Sequence, residues 1–143
     1  MLRDSGSRRA AVAVLGLAVA SVLARGAGAQ SQSRQPATTP VGTWRGTSVC
    51  LVRPSACNDE IVVYRIAPTK VADSLTMDAR RIVRGQEVDM GVLTCRFTSP
   101  NGPLTCAIPQ GTWLFRARSD SLVGELRLPD NTKFRDVRAT RAP

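Results

Sequence analysis

The chain has 143 residues, with 20 Lys and Arg against 11 Asp and Glu, a formal net charge of +9, four cysteines and no histidine. Without histidine the usual proton shuttle near neutral pH is missing, and Ser-His-Asp, Cys-His and histidine-metal sites are excluded. The basic balance allows attraction to nucleic acid, lipid headgroups or acidic glycans, although a solvated arginine-rich surface gives the same count.

In chain order, Arg3, Arg8 and Arg9 precede an apolar run from Ala10 to Ala24, followed by the small-residue site Ala27-Gly28-Ala29. This pattern predicts a secretory signal peptide over residues 1–29, cut before Gln30. The alternative, a transmembrane anchor, needs about 20 apolar residues, and Arg25 ends this run early. Loss of Arg3, Arg8, Arg9, Arg25 and Asp4 lowers the net charge from +9 to +6. The expectation is a secreted or periplasmic protein with no transmembrane segment after cleavage. Residues 30–40, mostly Gln, Ser, Thr and Pro, read as a flexible leader. Residues 41–143 are then one small domain of roughly 100 residues.

Within that domain, large apolar side chains mostly recur at every second residue, the period of half-buried strands. The first strand, Gly42 to Cys50, puts Trp44, Gly46, Ser48 and Cys50 on one face. Glu60 to Ala67 is dense in β-branched residues and turns Val62, Tyr64 and Ile66 inward. Ser74 to Ile82 alternates through Leu75, Met77 and Ala79, while Ala79 to Val88 could instead form a short amphipathic helix, with Gly85 against it. Four more strands follow at Leu93 to Phe97, Leu104 to Ile108, Trp113 to Arg118 and Leu122 to Leu128, separated by turn formers. In the last strand, Lys133 to Thr140, the inward set is either Phe134, Asp136 and Arg138 or Lys133, Arg135 and Val137. Gly124, inside a strand, predicts a bulge or barrel corner. About eight strands with short connections predict an all-β, antiparallel up-and-down meander, which closes into a small barrel and so removes its edges.

Four cysteines in an exported chain predict two disulfides, and four allow three connectivities. Spacing favours Cys50 with Cys57 around Arg53-Pro54, and Cys95 with Cys106 across the hairpin that turns at Pro100-Asn101. Each short bridge contributes on the order of 2–3 kcal/mol on the loop-entropy model. A four-residue turn would place Cys95 opposite Cys106 and Phe97 opposite Leu104, whereas a bulged turn would send the two sulfurs to opposite faces. Gaps of this size do not match thiolate metal sites, so no metal is expected.

Gly42-Thr43-Trp44 opening the first strand, with Arg135 or Arg138 near the end of the last, resembles the G-x-W and terminal Arg of small secreted lipocalin-like (calycin-type) barrels. The resemblance implies that one of these arginines packs across Trp44 and closes one end of the barrel, physically a cation-π contact. Avidin-like barrels also carry a Gly and Trp near the first strand, and secreted bacterial metalloprotease inhibitors share a small disulfide-bonded barrel.

The carboxylates Asp59, Glu60, Asp78, Glu87, Asp89 and Glu125 fall in loops or on outward faces, where they read as solvated charge rather than as an acid–base pair. Catalysis is therefore not expected, and no cofactor is implied. The first candidate binding surface is the barrel interior, lined by Trp44, Tyr64, Met77, Trp113 and Phe115. It is either a cavity or a core filled by its own side chains. A continuous apolar cavity above about 300 Å³ would favour a small apolar ligand. The second is the outer wall, where Arg45, Arg65, Arg96, Arg116, Arg118 and Arg127 alternate outward; the lack of aromatics there argues against nucleic acid. The leading expectation is a non-catalytic binding protein. The alternative is an interaction module for an envelope or secreted protein, such as a protease inhibitor.

Overall fold

The structure, a computed structural model, describes residues 39–98 and 102–143. The predicted signal peptide, nearly all of the leader and the Pro100-Asn101 turn lie outside the described residues. Eight strands form in order: β1 (Gly42–Cys50), β2 (Glu60–Pro68), β3 (Ser74–Val83), β4 (Gln86–Arg96), β5 (Leu104–Ile108), β6 (Gly111–Arg118), β7 (Ser121–Arg127) and β8 (Lys133–Arg141). Each pairs antiparallel with the next, and β8 returns to β1, so the meander closes into a barrel.

The alternation read from the sequence selects the core. Trp44, Ser48 and Cys50 of β1, Val62, Tyr64 and Ile66 of β2, and Leu75, Met77 and Ala79 of β3 are all buried. Phe115, Leu122, Leu126, Val137 and Ala139 complete the inner layer on β6 to β8. Residues Ala79 to Val88, readable as a helix, instead form the β3–β4 hairpin, because Arg84 (φ 50°) and Gly85 (φ 82°) take the paired left-handed conformations of a tight two-residue turn. A register shift beside Ala79 and Arg80 leaves Met90 as the extra residue of a bulge.

The ambiguity in β8 resolves in favour of Arg135 and Val137, which continue inward through Ala139 and Arg141. Lys133 does not share that face. A bulge beside Leu126 and Arg127 inserts Phe134, and Lys133 pairs with Arg127 instead. The bulge expected at Gly124 is not there: Gly124 pairs in regular register with Phe115 and Val137, and its missing side chain makes room for the Phe115 ring.

Both disulfides take the local pairing, Cys50 with Cys57 and Cys95 with Cys106. The one described pair between β4 and β5, Arg96 with Thr105, sets Cys95 opposite Cys106 and Phe97 opposite Leu104. The Cα atoms of Cys95 and Cys106 are 4.2 Å apart, close to the spacing of a non-hydrogen-bonded antiparallel pair.

One end of the barrel is plugged by Trp44, whose indole N–H donates to the carbonyl of Pro40 at 2.7 Å. Pro40, assigned to the leader from its sequence, is fully buried and belongs to the domain. Arg141 lies over the Trp44 ring. The assignment of this role to Arg135 or Arg138 is thereby corrected: Arg138 points outward with its side chain 80% exposed, and Arg135 sits near the other end, paired through the backbone with Cys50 rather than Trp44.

Candidate functional site at the open end of the barrel

The end opposite Trp44 carries the Cys50–Cys57 loop and the β3–β4, β5–β6 and β7–β8 turns. Here the interior is hollow, with a cavity of about 340 Å³. Tyr64, Met77, Trp113 and Phe115 line it, four of the five interior residues expected from the sequence. The fifth, Trp44, is fully buried in the plug and is not part of the lining.

The aromatic wall is built by alternation on β6, which places Trp113 and Phe115 on the same face. Their rings stack with centroids 5.4 Å apart, and Tyr64 meets Phe115 edge-on at 5.5 Å. Such contacts hold each ring in place beyond the effect of area burial alone. Met77, Ala79, Leu93 and Ile108 extend the apolar lining towards the mouth.

A polar group occupies the β1–β2–β8 side. The Arg135 guanidinium donates to Ser48 Oγ (2.8 Å), the Ser48 carbonyl (3.2 Å), the Asn58 carbonyl (2.9 Å) and Glu60 Oε2 (3.0 Å), and touches the Cys57 sulfur at 3.1 Å. Glu60 also receives Arg81 at 3.3 Å. An arginine facing into a small barrel is costly unless its donors are filled, and here they are filled by Ser48 of β1, Glu60 of β2 and the Cys57–Asn58 end of the disulfide-clipped loop. Sequence reasoning gave this inward arginine the wrong partner. The available signal was the pairing of an inward Ser48 in β1 with a charged Glu60 at the start of β2.

Burial pushes the Tyr64 phenol far above its ordinary range, with the nearby Arg135 cation opposing that shift and Glu60 adding to it. At neutral pH Tyr64 is therefore a neutral hydroxyl. Among the described residues, no three His, Cys, Asp or Glu side chains gather where they could hold a metal ion.

Among the described residues, β4 and β5 pair only near the closed end, at Arg96 and Thr105, beside the Cys95–Cys106 bond. Towards the mouth the β3–β4 hairpin runs on past the short β5. Met90 and Leu93 form one lip of the opening, and Ile108, Pro109 and Gln110 form the other. The arrangement can admit a molecule with an apolar body, place it against Trp113 and Phe115, and present it to Tyr64, Ser48 and the Arg135–Glu60 pair. No protein-family model matches the sequence, and no curated protein matches it either.

Proposed function

We propose that this chain is an exported, non-catalytic binding protein that takes a small apolar ligand into the open end of a lipocalin-like barrel. The observation carrying this reading is the 340 Å³ cavity with its stacked aromatic wall and a single polar side. Its size falls within the range of small-molecule sites, and few well-placed polar groups in an apolar pocket are the usual means of orienting a ligand. The lipocalin-like assignment is supported by the eight-stranded meander and by Trp44 packed beneath a terminal arginine. Export is supported by two disulfides, which persist in oxidising compartments.

The test is a titration with N-phenyl-1-naphthylamine, a neutral apolar probe, followed by probe emission and by quenching of Trp113 in a Trp44→Phe background. Saturable binding with a micromolar Kd, lost in Ala79→Leu, supports the reading. Ala79 is buried against the cavity, so the larger side chain occupies the ligand's space. Unsaturable binding, or binding unchanged in Ala79→Leu, refutes it.

One observation favours an interaction module instead: Val83, Val88, Met90 and Val92 on the overhanging β3–β4 hairpin are exposed. Apolar side chains gathered on a projecting hairpin suit contact with another protein.

A further inference from the structure

The outer wall carries a second concave surface, separate from the cavity. Its registers place Arg116 of β6, Val123 of β7 and Arg138 of β8 side by side. The next row towards the open end is Leu114, Glu125 and Asp136 in the same three strands. The row towards the closed end runs Arg118, Ser121, Thr140 and Arg45. All four arginines are exposed. Among the described residues, Arg45, Arg116 and Arg118 have no ion-pair partner, while Arg138 pairs with Asp136 at 3.6 Å. Strand spacing puts the Cα atoms of Arg116 and Arg138 about 10 Å apart.

Between them runs a groove of about 360 Å³, with Leu114, Val123 and Gly124 as its floor. Glu125 and Asp136 stand on its lower edge beside Lys133. The mixture narrows the partner. Two guanidiniums pair with carboxylate or sulfate groups in forked geometry. An aliphatic floor takes the C–H face of a sugar ring. Two carboxylates accept hydroxyl donors: Asp136 already binds Lys133 at 2.8 Å and Arg138 at 3.6 Å, and Glu125 binds Arg127 at 2.6 Å and Lys133 at 3.5 Å, yet a carboxylate has about four acceptor positions. A DNA backbone has no ring hydroxyl to offer those carboxylates. Among the described residues this face has no aromatic on which a base could stack.

We infer that the β6–β7–β8 groove binds an acidic polysaccharide, with Arg116 and Arg138 holding its acid groups and Glu125 and Asp136 accepting its ring hydroxyls. The Arg118–Ser121–Thr140–Arg45 row extends the track for a longer chain.

The test measures binding of the intact, oxidised protein to a heparin-derived octasaccharide. Comparison probes are neutral maltooligosaccharide, oligothymidylate and phosphatidylglycerol vesicles. The acidic sugar is expected to bind at least about tenfold more tightly than any of these at equal salt, as expected where charge and shape are matched together. Arg116→Glu and Arg138→Glu, both at exposed positions, should each weaken it at least about tenfold. The decisive pair is Asp136→Asn and Glu125→Gln: general attraction to polyanions would strengthen on losing a negative charge, whereas hydroxyl recognition weakens. Tighter octasaccharide binding in these variants, or equal binding of oligothymidylate or vesicles, overturns the inference. Ala79→Leu, which fills the interior, should leave octasaccharide binding unchanged, so failure of the cavity reading and failure of this one are separately visible.

Discussion

The guanidinium of Arg141 lies over the indole of Trp44, its central carbon 4.2 Å from the ring centroid, and donates to the Val41 carbonyl at 2.9 Å and the Thr39 carbonyl at 3.2 Å. One side chain thus ties the last strand to the residues preceding the first. Gly42 is required for this. It has φ 133°, and a Cβ there would collide with the Arg141 guanidinium. The Gly-Thr-Trp sequence and the final arginine are therefore one packing unit: the glycine clears the path, the tryptophan plugs the end and the arginine covers it.

Removal of the plug should be severe. Trp44→Ala is expected to cost about 3–5 kcal/mol, because it deletes a fully buried ring and leaves a cavity. Arg141→Ala should cost about 1–3 kcal/mol through the lost cation-π contact and its two hydrogen bonds. Arg138→Ala, at an exposed position, should stay within about 0.5 kcal/mol of wild type. Urea denaturation of the three variants checks the order. If Arg138→Ala were costlier than Arg141→Ala, the assignment of the capping arginine would be wrong.

The contrast between these arginines shows what a sequence can carry. Trp44, Tyr64, Ile66 and Met77 were legible as core because alternation in β1 to β3 runs unbroken through their inner positions. In β8 the same rule failed, since the strand has a charge at most positions and a bulge at Phe134 changes the parity of Lys133 relative to Arg135. Bulges depend on the partner strand and leave no local signature. The cavity was legible only as one of two alternatives. Whether Trp113 and Phe115 meet a facing side chain depends on how far β4 overruns β5, a tertiary quantity.

The disulfide pairing should be directly recoverable. Non-reducing peptide mapping is expected to yield Cys95 linked to Cys106 and Cys50 linked to Cys57, and reduction should add about four mass units, one hydrogen per sulfur. Since Arg96–Thr105 is the one described pair joining β4 to β5, replacing both Cys95 and Cys106 by Ala should cost about 3 kcal/mol on the loop-entropy model. Hydrogen exchange should then accelerate first in β4 and β5. Uniform acceleration around the whole barrel would contradict a local role for this bond.

Closure of the barrel between β1 and β8 should be sensitive to a single methyl group. Gly46 packs directly on the backbone of Arg138 and Ala139, and a Cβ there would meet main-chain atoms that cannot rotate away. Gly46→Ala is expected to destabilise by about 2–3 kcal/mol, lowering Tm by roughly 10 °C or more for a domain of this size. Thr47→Ala, on the outward face of the same strand, should be nearly neutral and serves as the control. Equal melting of the two variants would mean that β1 and β8 are not in close contact at this point.

Stability should be flat across the neutral range and fall at both extremes. With no histidine, and all four cysteines in disulfides, no side chain titrates between the carboxylates and the alkaline groups. At the acid side, the hydrogen bond from Arg127 holds the Glu125 carboxyl below its ordinary value, and the Thr132 backbone does the same for Asp130. A lowered native pKa means the unfolded chain binds protons first. Their contribution is therefore present above the ordinary carboxylate range, about pH 4, and disappears as pH drops through the depressed values. At the alkaline side, Lys133 is raised by its bond to Asp136, and Tyr64 is raised by burial. The unfolded chain then loses protons first, so stability is present below about pH 10 and falls as pH rises beyond it. Thermal melts from about pH 5.5 to 9 should agree within a few degrees, and Glu125→Gln should soften the decline on the acid side and, because Glu125 also helps raise Lys133, soften the alkaline one more weakly. A step in Tm centred near pH 7 would contradict a barrel with no histidine and no free thiol among the described residues.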